Sequence, residues 1–310
     1  MPLINHLGIS MAKKSIVKSA RVLPALLTGE LPARLHENFS NESDTVRLRT
    51  VPSIRDRANN SLLELCAESA FKGGSSENLI TNVSVVFNPY KKNAESVYKE
   101  VLGFLRDECV RVVPSGQLLI TIGGDGTILY NKQIYRQPIF GIGTESSFIC
   151  PARFDNWREK LPKALSKPKV EKRLMLTGRV GDFTLPDALN EIAVRNREHR
   201  VVRFKVNSGS NDYDFRADGV IFSTPTGSTG YSYSCGGDEL DYAAREYQVV
   251  GIAPFRRAFK PMKVGEDAVV RIEAVPYKSV EIIVDGQFTY PMHQGVLEIF
   301  KSGDAEIVIV

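Results

Sequence analysis

Gly123-Gly124-Asp125-Gly126-Thr127 follows directly on Leu118–Ile122, a run of five apolar residues. Glycines let the backbone come close to a phosphate and turn its N–H groups inward. A helix beginning just after the loop adds partial positive charge. Asp125 repels a bare phosphate, so in this place it calls for a cation or a substrate hydroxyl as partner. Thr127 can cap the helix or bond a phosphate oxygen. A tight strand-to-helix turn with an Asp cap is the plainer reading, but three glycines in five positions make it uneconomical. The spacing matches neither a Walker loop nor a dinucleotide fingerprint. The pentapeptide therefore reads as a phosphate-binding loop.

A second group of polar residues lies further along. Asn190-Glu191 stands before the strand start Ile192-Ala193-Val194. An amide beside a carboxylate can serve a base edge or ribose hydroxyls, although for the pair alone a solvated strand end is the more ordinary reading. Arg216 and Asp218 put opposite charges on one side of an extended chain, as an ordinary surface pair also would. Then comes Ser223-Thr224-Pro225-Thr226-Gly227-Ser228-Thr229-Gly230-Tyr231-Ser232, too polar to bury a core. It offers a polar ligand a row of hydroxyls and one aromatic ring.

These residues need elements to hold them. Val83-Ser84-Val85-Val86-Phe87 reads as a strand closed by Asn88-Pro89, and residues 94–105 as a helix with Val97, Val101, Leu102 and Leu105 on one face. Leu118–Ile122 suits a strand buried on both sides of a parallel sheet. Residues 128–135 are helix-compatible and 138–142 read as a further strand. That alternation is α/β. From about residue 175 short alternating runs take over. Residues 203–207 and 213–216 form a hairpin around 208–211, and 280–284 with 288–290 form another around Asp285-Gly286. Residues 269–274 and 296–300 add two strands. The expected order is an N-terminal extension (1–80), an α/β phosphate-binding domain (81–174), a β-rich domain (175–295) and a C-terminal segment (296–310) packing back on the α/β domain.

The 310 residues are 43% hydrophobic and 25% charged, the balance of a globular enzyme. A net charge of +4 is too slight to argue for nucleic acid, and no apolar run is long enough for a membrane span. Cys66, Cys109, Cys150 and Cys235 form no C-x-x-C pair, which argues against a disulfide framework and a structural zinc and suits a reducing compartment. Lys13, Lys14, Lys18 and Arg21 precede the first acid, Glu30. That bias fits a solvated arm and, as the lesser reading, a transit peptide, so the expected location is cytoplasmic with an organelle as the alternative. His6, His36, His199 and His293 show no catalytic or metal arrangement, and Trp157 reads as a packing residue.

Taken in order, residues 123–127, Asn190-Glu191, 216–219 and 224–234 resemble the motifs of the NAD kinase family, over about residues 81–300. The first loop alone is shared with lipid kinases. The Thr-Pro-Thr-Gly-Ser-Thr-Gly-Tyr stretch discriminates most. The resemblance implies an α/β domain joined to a β-sandwich-like one with the nucleotide between them. It implies transfer of the terminal phosphoryl of ATP, or of polyphosphate, to the adenosine 2′-hydroxyl of NAD. A divalent metal, Mg²⁺ carried with ATP, is implied without a direct protein ligand, as is a homodimer or homotetramer whose neighbouring subunit helps complete the site.

By the same resemblance Asp125 is the proposed proton acceptor and an NAD contact. Gly123, Gly124, Gly126 and Thr127 cradle phosphate, and Gly126 also meets NAD. Asn190, Glu191, Arg216, Asp218, Thr226, Thr229, Gly230, Tyr231, Ser232 and Ser234 hold the dinucleotide, and Gln287 belongs to a late Asp-Gly-Gln motif. Two departures stand out. Gly143-Thr144-Glu145-Ser146-Ser147-Phe148-Ile149 replaces the family's Asn and its Gly-x-Leu-Gly-Phe-Leu run. Phe255-Arg256-Arg257 follows Ala253-Pro254 where the family tends to have His-Ser-Leu, so Arg256, Arg257, Lys260 and Lys263 either face phosphates or form a solvated basic edge. A lipid or other small-alcohol kinase sharing the loop, and a catalytically silent NAD sensor, are the competing readings.

Overall fold

The computed structural model describes residues 79–198 and 200–310. The expected N-terminal extension up to residue 78, the helix read over 62–71 and the basic leader lie outside the described residues.

Five parallel strands open the fold: β1 (Asn82–Phe87), β2 (Arg111–Val112), β3 (Leu118–Ile122), β4 (Ile139–Gly143) and β5 (Ala152–Arg153). Three helices join or follow them: α1 (Ala94–Asp107), α2 (Asp125–Asn131) and α3 (Trp157–Ser166). Every residue of β3 and β4 is buried, as continuous apolar runs in a parallel sheet require. Along α1 the buried residues Ala94, Val97, Val101 and Leu105 recur at helical spacing, while Leu102 falls at the edge of that face and is half-buried. Trp157 is buried against Phe104 in the same core. Expectation stopped short at α2, which begins at Asp125 rather than at residue 128. Helix α3 was not anticipated.

The rest is almost all β: β6 (Lys169–Val180), β7 (Phe183–Thr184), β8 (Glu191–Asn196), β9 (Val202–Ser208), β10 (Asn211–Ala217), β11 (Gly219–Ser223), β12 (Glu246–Ile252), β13 (Met262–Gly265), β14 (Val270–Val275), β15 (Val280–Val284), β16 (Phe288–Pro291) and β17 (Leu297–Ile309), with one short helix, α4 (Tyr231–Ser234). Both expected hairpins form. Gly209 turns β9 into β10, and residues 285–287 turn β15 into β16, with Asp285 and Gly286 at φ of 51° and 65°, a region few L side chains adopt outside turns.

Strand β17 ties the halves together. It runs antiparallel to β6 along its length, pairs parallel with β4 at Ile307↔Ile139 and antiparallel with β14 at Ile299↔Val270. The parallel strands and β14, β9 and β10 thus form one continuous sheet. A second, antiparallel sheet follows the order β13-β12-β11-β8-β15-β16. Its inward residues, among them Ile192, Val194, Val220 and Phe222, pack on Phe204, Val206, Ile272 and Ile299 of the first. This is the expected α/β portion with a β-sandwich-like partner. Among the described residues no helix is long and apolar enough to cross a membrane.

Candidate functional site

Gly123 and Gly124 carry the chain out of β3 at φ of 147° and 120°, a region closed to most side chains. A Cβ on Gly123 would stand 2.6 Å from Thr127 Oγ1 and 2.7 Å from Asn88 Cβ. The bare backbone leaves a pocket of ≈ 190 Å³ lined by residues 123–127 with Asn88, Lys91, Thr144, Ser146 and Ser147. Thr127 Oγ1 belongs to this wall, is buried, and has no hydrogen-bond partner. A native protein rarely leaves a buried hydroxyl unpaired without a use for it.

Asp125 corrects an expectation. Its carboxylate already has partners within the chain: Phe148 N donates to Oδ2 at 2.6 Å, and Ile149 N and Cys150 N donate to Oδ1 at 3.0 and 3.2 Å. The divergent 143–149 segment is therefore tied to the glycine loop by the very side chain that seemed to need an outside partner. Around it, burial pushes the Cys150 thiol well above its usual range, and the adjacent Asp125 charge adds to the effect.

Asp285 gathers the second group of residues. Its Oδ1 accepts from Asn190 N at 2.7 Å and Glu191 N at 3.2 Å, and its Oδ2 from Leu189 N at 3.0 Å. Lys132, just beyond the end of α2, places Nζ 3.0 Å from Asp285 Oδ2. From the same turn Gln287 Nε2 donates to Gly126 O at 2.9 Å, so Gln287 touches the glycine loop itself. Glu191 titrates at about 7, raised first by burial and then by the Asp285 charge. Such perturbed carboxylates mark functional sites more often than ordinary surfaces do.

The hydroxyl-rich segment is a second correction. Ser223, Thr224, Thr226, Ser228 and Ser232 are all buried. Short hydroxyls can be buried cheaply when nearby backbone satisfies them, and here it does for all but Thr226. Thr224 Oγ1 donates to Leu189 O, Ser228 Oγ to Pro225 O, and Ser232 Oγ to Ser228 O while accepting from Gln248 Nε2. Ser232 thus braces the wall and does not present its hydroxyl to a ligand. Gly227 lies against Asn190, where a Cβ would come within 2.2 Å of the carbonyl oxygen. Thr226 Oγ1 is buried and unpartnered. Thr229, Gly230, Tyr231 and Ser234 form the outer, more accessible part of the segment. Burial raises the Tyr231 phenol, with Cys235, Glu191 and Asp218 pushing the same way and Arg195 opposing, so these side chains share one electrostatic neighbourhood.

Arg216 is exposed on β10, an edge strand, opposite Arg203. Asp218 is exposed in the link from β10 to β11. Arg256 and Arg257 lie in an exposed turn where both have φ of 55°. Lys91, Asn88, Lys132 and Arg195 escaped sequence reasoning. Only Asn88 carried a signal, standing between a strand and Pro89. Lys132 looks like any helix-end lysine.

Among the described residues no group of three His, Cys, Asp or Glu side chains is placed to hold a metal. Asp125 and the unpaired Thr127 hydroxyl are nevertheless hard oxygen donors in one pocket, a set that suits a cation carried mainly by phosphate oxygens.

Residues 189–310 match a family model described as the ATP-NAD kinase C-terminal domain. The NAD kinase of Methanosarcina barkeri is 33% identical over 198 residues, covering 62% of this chain and 72% of that protein. The NAD kinase of Archaeoglobus fulgidus is 35% identical over 176 residues, 54% of this chain and 68% of that one. In structure, an NAD kinase from Archaeoglobus fulgidus in complex with ATP superposes with a TM-score of 0.65 at 28% identity, over 73% of this chain and 92% of its own. A yeast NADH kinase complexed with NADH, 19% identical, shares the fold with a TM-score of 0.66 over 76% and 84%.

Proposed function

Because this chain belongs to the NAD kinase family, we propose that it transfers the terminal phosphoryl group of ATP to the adenosine 2′-hydroxyl of NAD, making NADP. The observation that carries this reading is the pocket under Gly123–Gly124, with its unpaired buried Thr127 hydroxyl, joined through Gln287 and Asp285 to Asn190-Glu191. A lipid kinase would share only the glycine loop, whereas the family match begins at residue 189, in the dinucleotide half.

The terminal phosphorus exchanges its bond to the bridging oxygen of the leaving diphosphate for one to the 2′-oxygen, and the hydroxyl loses its proton. The transition state is loose, so catalysis is mostly positioning and charge. The N–H groups of Gly124, Asp125 and Gly126 and the Thr127 hydroxyl hold phosphate oxygens, those of Gly123 and Thr127 being taken by Ile142 O and Gly124 O, with Lys91 supplying positive charge at the pocket. Asp125 has acceptor capacity left after its three backbone donors. It orients the 2′-hydroxyl and receives its proton. Asp125 and Thr127 would help hold the Mg²⁺ that arrives with the phosphates, which would supply positive charge against the phosphate oxygens. Glu191 accepts from ribose hydroxyls, and Asn190, Asp218, Thr226, Thr229, Gly230, Tyr231 and Ser234 line the nucleotide. The reading extends to a cytoplasmic homodimer or homotetramer, with residues 81–174 serving the phosphates and 175–295 the dinucleotide.

Incubating the purified chain with Mg-ATP and NAD, and detecting NADP by a coupled assay, tests the proposal. NADP from the wild type and almost none from Asp125→Asn is the expected result. No NADP from NAD and no NADPH from NADH, with ATP or polyphosphate as donor, sinks it.

A further inference from the structure

We infer that Lys132 and Asp285 are a positioning pair, a buried ionic joint that sets the phosphate loop at a fixed distance and angle from Asn190-Glu191. This rests on the kinase reading and adds to it two residues that touch neither phosphate nor nucleotide in that mechanism.

The two side chains are 2% and 0% exposed. Stability alone is a poor reason for such a pair, since well-packed apolar residues of similar size usually serve as well or better. What an apolar pair lacks is direction. Around Asp285 four donors converge: the Lys132 ammonium and the N–H groups of Leu189, Asn190 and Glu191. Lys132 Nζ also donates to the carbonyl oxygen of Asp187, and the neighbouring Gln133 Nε2 reaches the same oxygen. The end of α2 is thereby pinned to both ends of the 187–191 stretch. At the other end of α2, Gln287 bonds Gly126 O from the same β15–β16 turn. Helix α2 carries Asp125, Gly126 and Thr127 in its first turn. One short helix is thus held at both ends by one three-residue turn, and that turn also holds the residues that meet the nucleotide. A displacement of about 1 Å between groups that must meet in a transfer reaction can cost on the order of 100-fold in rate.

The test compares the full-length wild type, Lys132→Met, and the double variant Lys132→Met/Asp285→Asn. The single variant strands a buried charge and can fail to fold. The double variant removes both charges at nearly constant volume and keeps the question answerable. In the protein without substrates, hydrogen exchange of the Leu189–Glu191 amides is expected to speed up at least about tenfold in the double variant. With Mg-ATP and NAD, kcat is expected to fall about 100-fold, with KM for NAD within about threefold of the wild type. Wild-type exchange at these amides in a folded double variant overturns the joint. Faster exchange with unchanged kcat overturns its positioning role. A wild type that makes no NADP refutes the kinase reading alone, because the exchange measurement judges the joint without turnover.

Discussion

Asp125 and Asp285 each collect three consecutive backbone N–H groups, those of residues 148–150 and of residues 189–191. Beyond that the two regions part. Asp285 sits in the dry interior with Lys132 against it, so its charge is balanced and its geometry is closed. Asp125 is only partly buried, stands in a pocket wall, and shares that pocket with an unpaired hydroxyl. The same local device therefore encloses the carboxylate in one place and leaves it facing a pocket in the other. Solvent access and a counter-charge decide which. A carboxylate with spare acceptor capacity facing a cavity can meet a substrate, and one that is paired and enclosed can only hold the chain.

Neutralising Asp125 is the most drastic way to break this contrast. Asp125→Asn is expected to lower kcat by about 1000-fold in the coupled assay, because the amide cannot take the hydroxyl proton and its NH₂ opposes the N–H groups of residues 148–150. A loss below about tenfold would remove Asp125 from the chemistry and leave it a clamp on residues 148–150.

Glu191 feels the Asp285 side of the comparison through pH. Its folded-state pKa of about 7 lies above the ordinary 4.5, so between those values the folded chain holds a proton that the unfolded chain has released. Its contribution to stability is fully present below pH 4.5 and is lost as pH rises to about 7, by up to about 3 kcal/mol. Urea unfolding across that window should show the slope in the wild type and a flatter profile in Glu191→Gln. In the opposite sense, KM for NAD should fall as pH rises past 7 and frees the carboxylate to accept ribose hydroxyls. A KM that is flat with pH counts against that contact.

Thr127→Val sharpens the contrast on the open side. The hydroxyl has no internal partner to lose, so stability should change by less than about 0.5 kcal/mol while KM for ATP rises about tenfold. Ser232→Ala should behave the other way. Removing a hydroxyl that accepts from Gln248 should cost about 1 kcal/mol in urea unfolding and leave both KM values unchanged. Equal behaviour of the two variants would erase the distinction between wall and brace.

Much of this site was readable before any coordinates. The glycine loop and the Asp285-Gly286 turn announce themselves, because positive φ and close backbone approach restrict residue type within a few positions, whereas Asn190-Glu191 by itself reads more readily as a solvated strand end. The hydroxyl row misled for a related reason. Ser and Thr look like ligand partners in a string of letters, and only the fold shows that carbonyls within a few residues had already taken Ser228 and Ser232. Lys132 was silent because nothing local distinguishes a buried lysine at a helix end from an exposed one. Strand β17 was read too short, as 296–300, since the register shift at Lys301/Gly303 breaks the alternation while the pairing with β6 runs on to Ile309.

What the sequence by itself determined is local: where the chain must turn, which runs are buried on both sides, and which short motifs suit a phosphate and a dinucleotide. Those features depend on backbone sterics and side-chain period, which act over neighbouring residues. The tertiary structure alone decided which carboxylate is closed off and which is open, that Lys132 meets Asp285, and that one turn holds both ends of α2. These depend on partners far apart in the chain, from 23–25 residues for Asp125 to 94–96 for the Asp285 clamp and 161 for Gln287 with Gly126. Burial and counter-charge at such distances follow from packing, to which no single stretch of sequence has access.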